Sequence, residues 1–320
     1  MYKIPYNSLT LETAKIDYSK IKNILDSNWV CLAQHTKDLE SNFRKRFNIK
    51  HAILCANATS GLIIAIKAAN WKNLKVALPA FTWPSTSYAI ECSGNIPVYC
   101  DIDKDTWHIK LPNEGTYDCV LAMDTFGNEI NIESDKPVIY DAAHGFDLPN
   151  LGNRGIAEVV SFSYTKLVTG MQGGVILTND DLLAESAREL VRVSAKIEEI
   201  NAYILETSLK FYDESYKKIR QTNVDYFLDN LNFNFIRQKI TTATNNSVFG
   251  ILFESSKKRD KVRERLEEES VEVKIYYEPL ITGLPNTDEV YSKIMCLPVW
   301  NMQTQDLKKI VTIINDSVKN

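Results

Sequence analysis

The sequence predicts an α/β fold: a large domain on a mostly parallel sheet flanked by helices, followed by a small C-terminal α+β domain. Three observations predict it. From about residue 50 the chain alternates short β-rich runs with helical stretches, the order of a largely parallel sheet. The β-rich runs are almost continuously apolar, as strands covered on both faces must be. And 320 residues exceed a minimal domain and suit a large unit plus a smaller one.

Taken in order, the strands expected are Val76–Leu78, Pro97–Asp101, Cys119–Met123, Pro137–Tyr140, Val159–Phe162 and Gly174–Thr178. An apolar run, Ala52-Ile-Leu54, leads through Cys55-Ala-Asn-Ala-Thr59-Ser60-Gly61 into a helical stretch over 62–69. A helix is expected over Asp181–Val193, and a second over Glu206–Leu231, where Leu209, Tyr212, Tyr216 and Ile219 recur at helical spacing. The domain boundary falls in this second helix, dividing the chain into 1–212 and 213–320. Beyond it, strand Ser247–Phe253, helix Lys257–Glu269, strand Val271–Ile275 and a C-terminal helix make up the small domain. The mixed signs of Lys257–Glu269 at i, i+4 spacing describe a solvated helix rather than a phosphate patch.

Composition narrows the function classes. With 44% hydrophobic and 24% charged residues the chain is that of an ordinary globular protein, and a net charge of −4 argues against a nucleic-acid or anionic-membrane surface. Met1–Ser8 has no apolar core of signal-peptide length, and no apolar run is long enough to span a bilayer. The six cysteines are scattered without a Cys-x-x-Cys pair, and the four histidines lack metal-ligand spacing. A cytoplasmic protein without metal is the expectation.

The chemistry concentrates in Asp141-Ala-Ala-His144, Ser161-Phe-Ser-Tyr-Thr-Lys166 and Gly173-Gly174. Lys166 follows one β-rich run, and Asp141 ends another about twenty-five residues upstream. A lysine and an aspartate at two strand ends are the pair that pyridoxal phosphate requires. The amine forms a Schiff base with the aldehyde, and the carboxylate holds the pyridinium nitrogen protonated, so that the ring acts as an electron sink. Asp141 taken alone also suits a helix N-cap. His144 either donates to the cofactor's phenolic oxygen, lies near the ring, or is a satisfied core histidine. Ser161 offers a hydroxyl to a phosphate, and Thr169–Gly174 lets backbone approach a ligand closely. Thr59 and Ser60, at a helix N-terminus, form an anion site or an ordinary cap. Trp83, after the strand ending in Leu78-Pro79, either stacks on a flat ring or belongs to the core.

The order of these pieces resembles the DegT/DnrJ/EryC1/StrS family of nucleotide-sugar aminotransferases, of aspartate-aminotransferase fold. The resemblance rests on Ala58-Thr-Ser-Gly61, Pro79-Ala-Phe-Thr-Trp83, Asp141-Ala-Ala-His144 and Ser161…Lys166…Gly173-Gly174. Gly94–Asp103, Phe126-Gly127, Tyr276–Leu280 and Cys296–Val299 extend it through nearly the whole chain. It implies a pyridoxal 5′-phosphate enzyme moving an amino group, from L-glutamate as donor, to a nucleotide-linked keto sugar through a pyridoxamine form. It also implies site roles: Lys166 as the Schiff-base lysine, Asp141 as the pyridinium partner, His144 at the ring edge and Trp83 on the ring face. Thr59, Ser60 and Ser161 would hold the phosphate, together with Asn201 of the neighbouring subunit in a homodimer with shared active sites. Three departures stand out: no arginine follows Asn201, Ser163 stands where many members carry histidine, and the chain is short for the family, with a compressed segment between Gly174 and Leu231. Two rival readings are a non-catalytic sensor on the same scaffold and a dehydratase, although dehydrating relatives replace the lysine by histidine.

Overall fold

Seven strands, six of them buried on both faces over nearly all their length, form the central sheet of the computed structural model, which describes residues 2–9 and 15–319. They are β1 (His51–Cys55), β2 (Lys75–Pro79), β3 (Ile96–Cys100), β4 (Cys119–Met123), β5 (Val138–Asp141), β6 (Ala157–Ser161) and β7 (Gly174–Thr178), in the order β1-β7-β6-β5-β4-β2-β3. The pairs β2–β3, β2–β4, β4–β5 and β5–β6 are parallel, and β7 runs antiparallel between β1 and β6. The six strands expected from the sequence are present, and β1 adds a seventh from the Ala52-Ile-Leu54 run.

Period-two alternation sends successive side chains to opposite faces. Leu54, Val160, Phe162, Val175 and Leu177 join one core with Leu39 and Phe43 of helix α2 (Gln34–Arg46) and Leu205 and Leu209 of α6 (Glu199–Phe211). Their neighbours Ile53, Cys55, Leu78, Leu121, Val159 and Ile176 join the opposite core. That second core is closed by α3 (Ala58–Ala68), α4 (Pro84–Cys92) and α5 (Asp181–Ser194). Gly61 lets α3 settle on the sheet, since a Cβ there would lie 2.8 Å from Val159 Cγ1 and 3.1 Å from Cys55 Sγ.

Helix α6 continues through a π-helical turn (Tyr212–Tyr216) into α7 (Lys217–Asn230), so the helix expected from Glu206 begins earlier, at Glu199. Tyr212 and Tyr216 pack with the large sheet, whereas Val224 and Phe227 pack with the small domain. The division at 212/213 remains our proposed one, with the change of core falling a few residues later. Ile4, from the N-terminal segment, also packs in the small-domain core.

The small domain has three antiparallel strands in the order β10 (Ile294–Leu297), β9 (Phe249–Leu252), β8 (Ile236–Arg237), backed by α8 (Ser256–Glu268) and α10 (Thr304–Lys319). Helix α9 (Pro285–Lys293) precedes β10. The expected strand Val271–Ile275 is a correction. That segment makes only isolated bridges, Val271 to Ile4 and Lys274 to Cys296, because its neighbours on the two sides are themselves irregular or already paired. The other face of the small sheet meets the large domain through Leu252, Ile294 and Cys296, which cluster with Phe81, Met123, Phe126 and Tyr277. No helix among the described residues is long and apolar enough to cross a membrane.

Candidate active site

At the C-terminal edge of the sheet lies a cavity of about 660 Å3, within the range of small-molecule sites. Open parallel sheets put ligands at this edge. Its walls include Asn57, Thr59, Ser60, Trp83, Asp141, His144, Ser161 and Lys166, so all but one of the site residues expected from the sequence converge here. Asn201 is the exception. It sits half-buried on α6, and its carbonyl oxygen packs against the loop at Gly170, where a Cβ would approach it to 2.8 Å.

Lys166 Nζ lies 2.8 Å from His144 Nε2. Burial lowers the lysine pKa to about 8, while the negative charge of Asp141 works in the opposite direction. Asp141, at the end of β5, is only 3% exposed. Burial raises its pKa; the hydroxyl of Thr86, the backbone N–H of Ala143 and the charge of Lys166 oppose that rise. Thr86 Oγ1 donates to Asp141 Oδ2 at 2.8 Å, and Ala143 N donates to Oδ1 at 3.1 Å. Both carboxylate oxygens therefore have a donor, as a buried charge requires.

His144 is held neutral: burial first, then the charges of Lys166 and Arg220, push its pKa well below the usual value. Its Nδ1 is 2.7 Å from Ser247 Oγ, and its Nε2 is also 3.1 Å from the Tyr277 hydroxyl. Burial raises Tyr277 well above an ordinary phenol.

The N-terminus of α3 forms one wall of the cavity. Asn57 caps it, its Oδ1 accepting from Ser60 N at 2.8 Å and Ser60 Oγ at 2.9 Å. Free N–H groups and the helix dipole at this end favour a phosphate. Gly174 lets β7 start against it: a Cβ there would stand 2.8 Å from both Ala58 N and Asn57 C. Trp83 is 57% exposed at the N-terminus of α4, so it is a wall of the site and not core. Pro84 at the first helical position starts α4 after it. Trp83 meets the edge of Tyr276 at 6.3 Å and 89°. Tyr6, Tyr88, Tyr164 and Tyr277 complete an aromatic wall bearing hydroxyls.

Sequence reasoning passed over Asn57, Thr86 and Ser247, while Tyr276 and Tyr277, which it left between a place at the sugar site and a core or dimer-contact role, both line the cavity. Asn57 carried a signal, an N-cap residue three before Ser60. Thr86 and Ser247 carried none, since their partners lie 55 and 103 residues away.

Solved structures share this fold. DesI, in the presence of its TDP-sugar product, superposes with a TM-score of 0.86 at 22% identity, over 97% of this chain and 91% of that one. The PLP form of the putative sugar aminotransferase Spr1654 from Streptococcus pneumoniae gives 0.86 at 16% identity, over 99% of each chain. The E. coli GDP-4-keto-6-deoxy-D-mannose-3-dehydratase with bound hydrated PLP gives 0.84 at 18% identity, over 98% of this chain and 100% of that one. The family profile matches residues 12–315, and the chain belongs to the DegT/DnrJ/EryC1/StrS aminotransferase family.

Proposed function

We propose that this chain is a pyridoxal-phosphate-dependent aminotransferase that moves the amino group of an amino acid, L-glutamate in our reading, to a nucleotide-linked keto sugar. The observation that carries the proposal is Lys166: a primary amine with its pKa near 8, in one cavity with a buried carboxylate and a helix N-terminus. The residues fit the cofactor. An amine for the aldehyde, an anion for the ring nitrogen and a glycine-relieved cradle for the phosphate line the same space. DesI with its TDP-sugar product and Spr1654 in its PLP and PMP forms support the nucleotide sugar and the cofactor.

When bound, pyridoxal phosphate supplies an electron sink for the charge that develops at the substrate carbon. Asp141, whose two carboxylate oxygens accept from Thr86 and Ala143, would pair with the ring nitrogen and keep it protonated. Lys166, whose amine gives up its proton near pH 8 rather than in the usual lysine range, takes the proton from the donor's α-carbon and later returns one to the sugar's carbon. Thr59, Ser60, Ser161 and the N-terminus of α3 would hold the phosphate, and Trp83 would cover the ring face. His144 orients the lysine amine. Lys166 stands where the resemblance gives dehydrating relatives a histidine, which favours amino transfer over dehydration.

We further propose a homodimer in which Asn201 of each chain completes the phosphate site of the other. In support, Asn201 lies outside its own cavity, and Trp29, Tyr164 and Met171 are exposed, at 74%, 55% and 41%. A cytoplasmic location completes the reading, supported by six free cysteines.

The test is the visible absorbance of protein loaded with pyridoxal phosphate, before and after L-glutamate. Conversion to the pyridoxamine form with release of 2-oxoglutarate is expected, and Lys166→Ala should abolish transfer while still binding cofactor through the phosphate contacts. A Lys166→Ala protein that transfers nitrogen at the wild-type rate overturns the assignment. A wild-type protein that binds the cofactor and exchanges no nitrogen is the sensor reading instead.

A further inference from the structure

The small domain reaches the reactive lysine through one hydrogen-bonded segment. Asn245-Asn-Ser247 leads into β9 and grips His144 at both ends. Asn245 Nδ2 donates to the backbone carbonyls of His144 at 2.6 Å and Phe146 at 2.9 Å, while Ser247 Oγ meets the ring nitrogen Nδ1 at 2.7 Å. The segment is itself clamped. Arg220 of α7, 5% exposed, donates through Nη2 to the carbonyls of Asn246 at 2.5 Å and Ser247 at 2.8 Å. Its Nη1 donates to the Tyr216 hydroxyl at 2.9 Å. Room for Asn245 is provided at Gly127, where a Cβ would fall 1.9 Å from Asn245 Oδ1.

We propose that Ser247 is a positioning residue that fixes the tautomer of His144, accepting a hydrogen bond from Nδ1–H so that the bare Nε2 faces Lys166. The inference deepens the reading of Lys166 as the reactive amine. Both ends of the ring favour this assignment while the lysine is charged, and Ser247 supplies the acceptor without which a buried Nδ1–H would go unsatisfied. An ammonium has three donors and no acceptor, and the Tyr277 hydroxyl retains its proton and points at the same nitrogen. A proton on Nε2 would set donor against donor at 2.8 Å from Lys166 Nζ. A neutral imidazole then carries its proton on Nδ1, where Ser247 Oγ is the acceptor. With the ring so held, the lysine amine has a fixed acceptor beside the cavity; with the other tautomer it would be repelled. This ties the chemistry on β5 and β6 to a loop of the small domain more than eighty residues beyond Lys166.

The test begins with the full chain freed of cofactor and labelled with 15N-histidine. The protein has four histidines, so His144→Gln identifies the His144 signals. The wild type should show a protonated-type Nδ1 and an unprotonated-type Nε2 near pH 7. The reverse pattern overturns the proposal without any Ser247 variant. In Ser247→Ala the pattern should collapse toward a mixture of tautomers, and Ser247→Thr, which keeps a hydroxyl, should restore it. An unchanged pattern in a folded Ser247→Ala protein also overturns it. In the loaded enzyme, kcat for the glutamate half-reaction should fall about tenfold in Ser247→Ala, the loss of one hydrogen bond, with KM within about twofold. If the wild type takes up no pyridoxal phosphate, the cofactor reading fails, while the tautomer measurement still decides the role of Ser247.

Discussion

Thr86→Val is the sharpest test of how the buried carboxylate is kept ionised. The substitution preserves shape and removes one hydroxyl. That hydroxyl is fully buried and donates at 2.8 Å to Asp141 Oδ2, so the variant leaves one carboxylate oxygen without its donor. A hydrogen bond to a charged group contributes about 1.5–3 kcal/mol, against about 1 kcal/mol to a neutral one. In the cofactor-free chain, burial raises the Asp141 pKa above its unfolded value. Such a group gives its full stability below the unfolded carboxylate range and loses it as pH rises through the folded pKa. The Thr86 hydroxyl limits that loss, so removing it should cost more at neutral pH than in acid. Urea unfolding should show Thr86→Val destabilised by about 1.5–3 kcal/mol near pH 7 and by roughly 1 kcal/mol near pH 4. Thr82→Val is the control, because the Thr82 hydroxyl lies 2.9 Å from that of Thr86 and does not touch the carboxylate. Equal losses at the two pH values, or the same pH dependence in the control, would refute the reasoning.

Three further outcomes follow from the same geometry. With the neutral form of Lys166 as the nucleophile we propose, the rate at which cofactor-free protein captures pyridoxal phosphate should rise with pH and level off above about 8; a rate still climbing near pH 10, as for an ordinary lysine, would contradict the burial argument. Gly174→Ala puts a Cβ 2.8 Å from backbone atoms of Asn57 and Ala58, which should weaken cofactor binding roughly tenfold and cost about 1–3 kcal/mol of stability, measured by cofactor titration and urea unfolding. Arg154→Met should destabilise by about 3–5 kcal/mol in the same assay, because Arg154 pairs with Asp124 at 2.7 Å and Glu158 at 2.5 Å and both carboxylates are fully buried.

What the sequence disclosed depended on how local each signal was. The apolar runs predicted six of the strands because burial on both faces is written continuously along each segment. Val271–Ile275 alternates apolar and charged residues as a half-buried strand does yet is no strand, since pairing depends on which partner comes alongside, and there the partners supply only single bridges. Asp141, Lys166 and Ser161 were legible because strand ends and short motifs mark them, and the cavity brings them together. Thr86, Ser247 and Arg220 were not. Each acts on a residue distant in sequence, and a single hydroxyl or guanidinium leaves no periodicity to read.

The one reversed strand explains why the N-terminus of α3, the cradle we propose for the phosphate, closes the cavity where it does. Strands β1 and β6 both run toward the edge that holds the cavity, and β7 begins at that edge between them. Gly174 is consequently paired with Cys55 on one side and Ser161 on the other. Cys55 leads within two residues to Asn57, the cap of α3, and Ser161 is itself a cavity wall. Three segments remote in sequence therefore meet at a residue with no side chain. A parallel strand in that position would begin at the opposite edge of the sheet, removing Gly174 from α3. The glycine and the reversal of β7 are thus a single device: the first admits the backbone of the second to within van der Waals contact of the helix N-terminus. That contact closes one side of the cradle, with Lys166 five residues after Ser161 on the loop that joins β6 to β7.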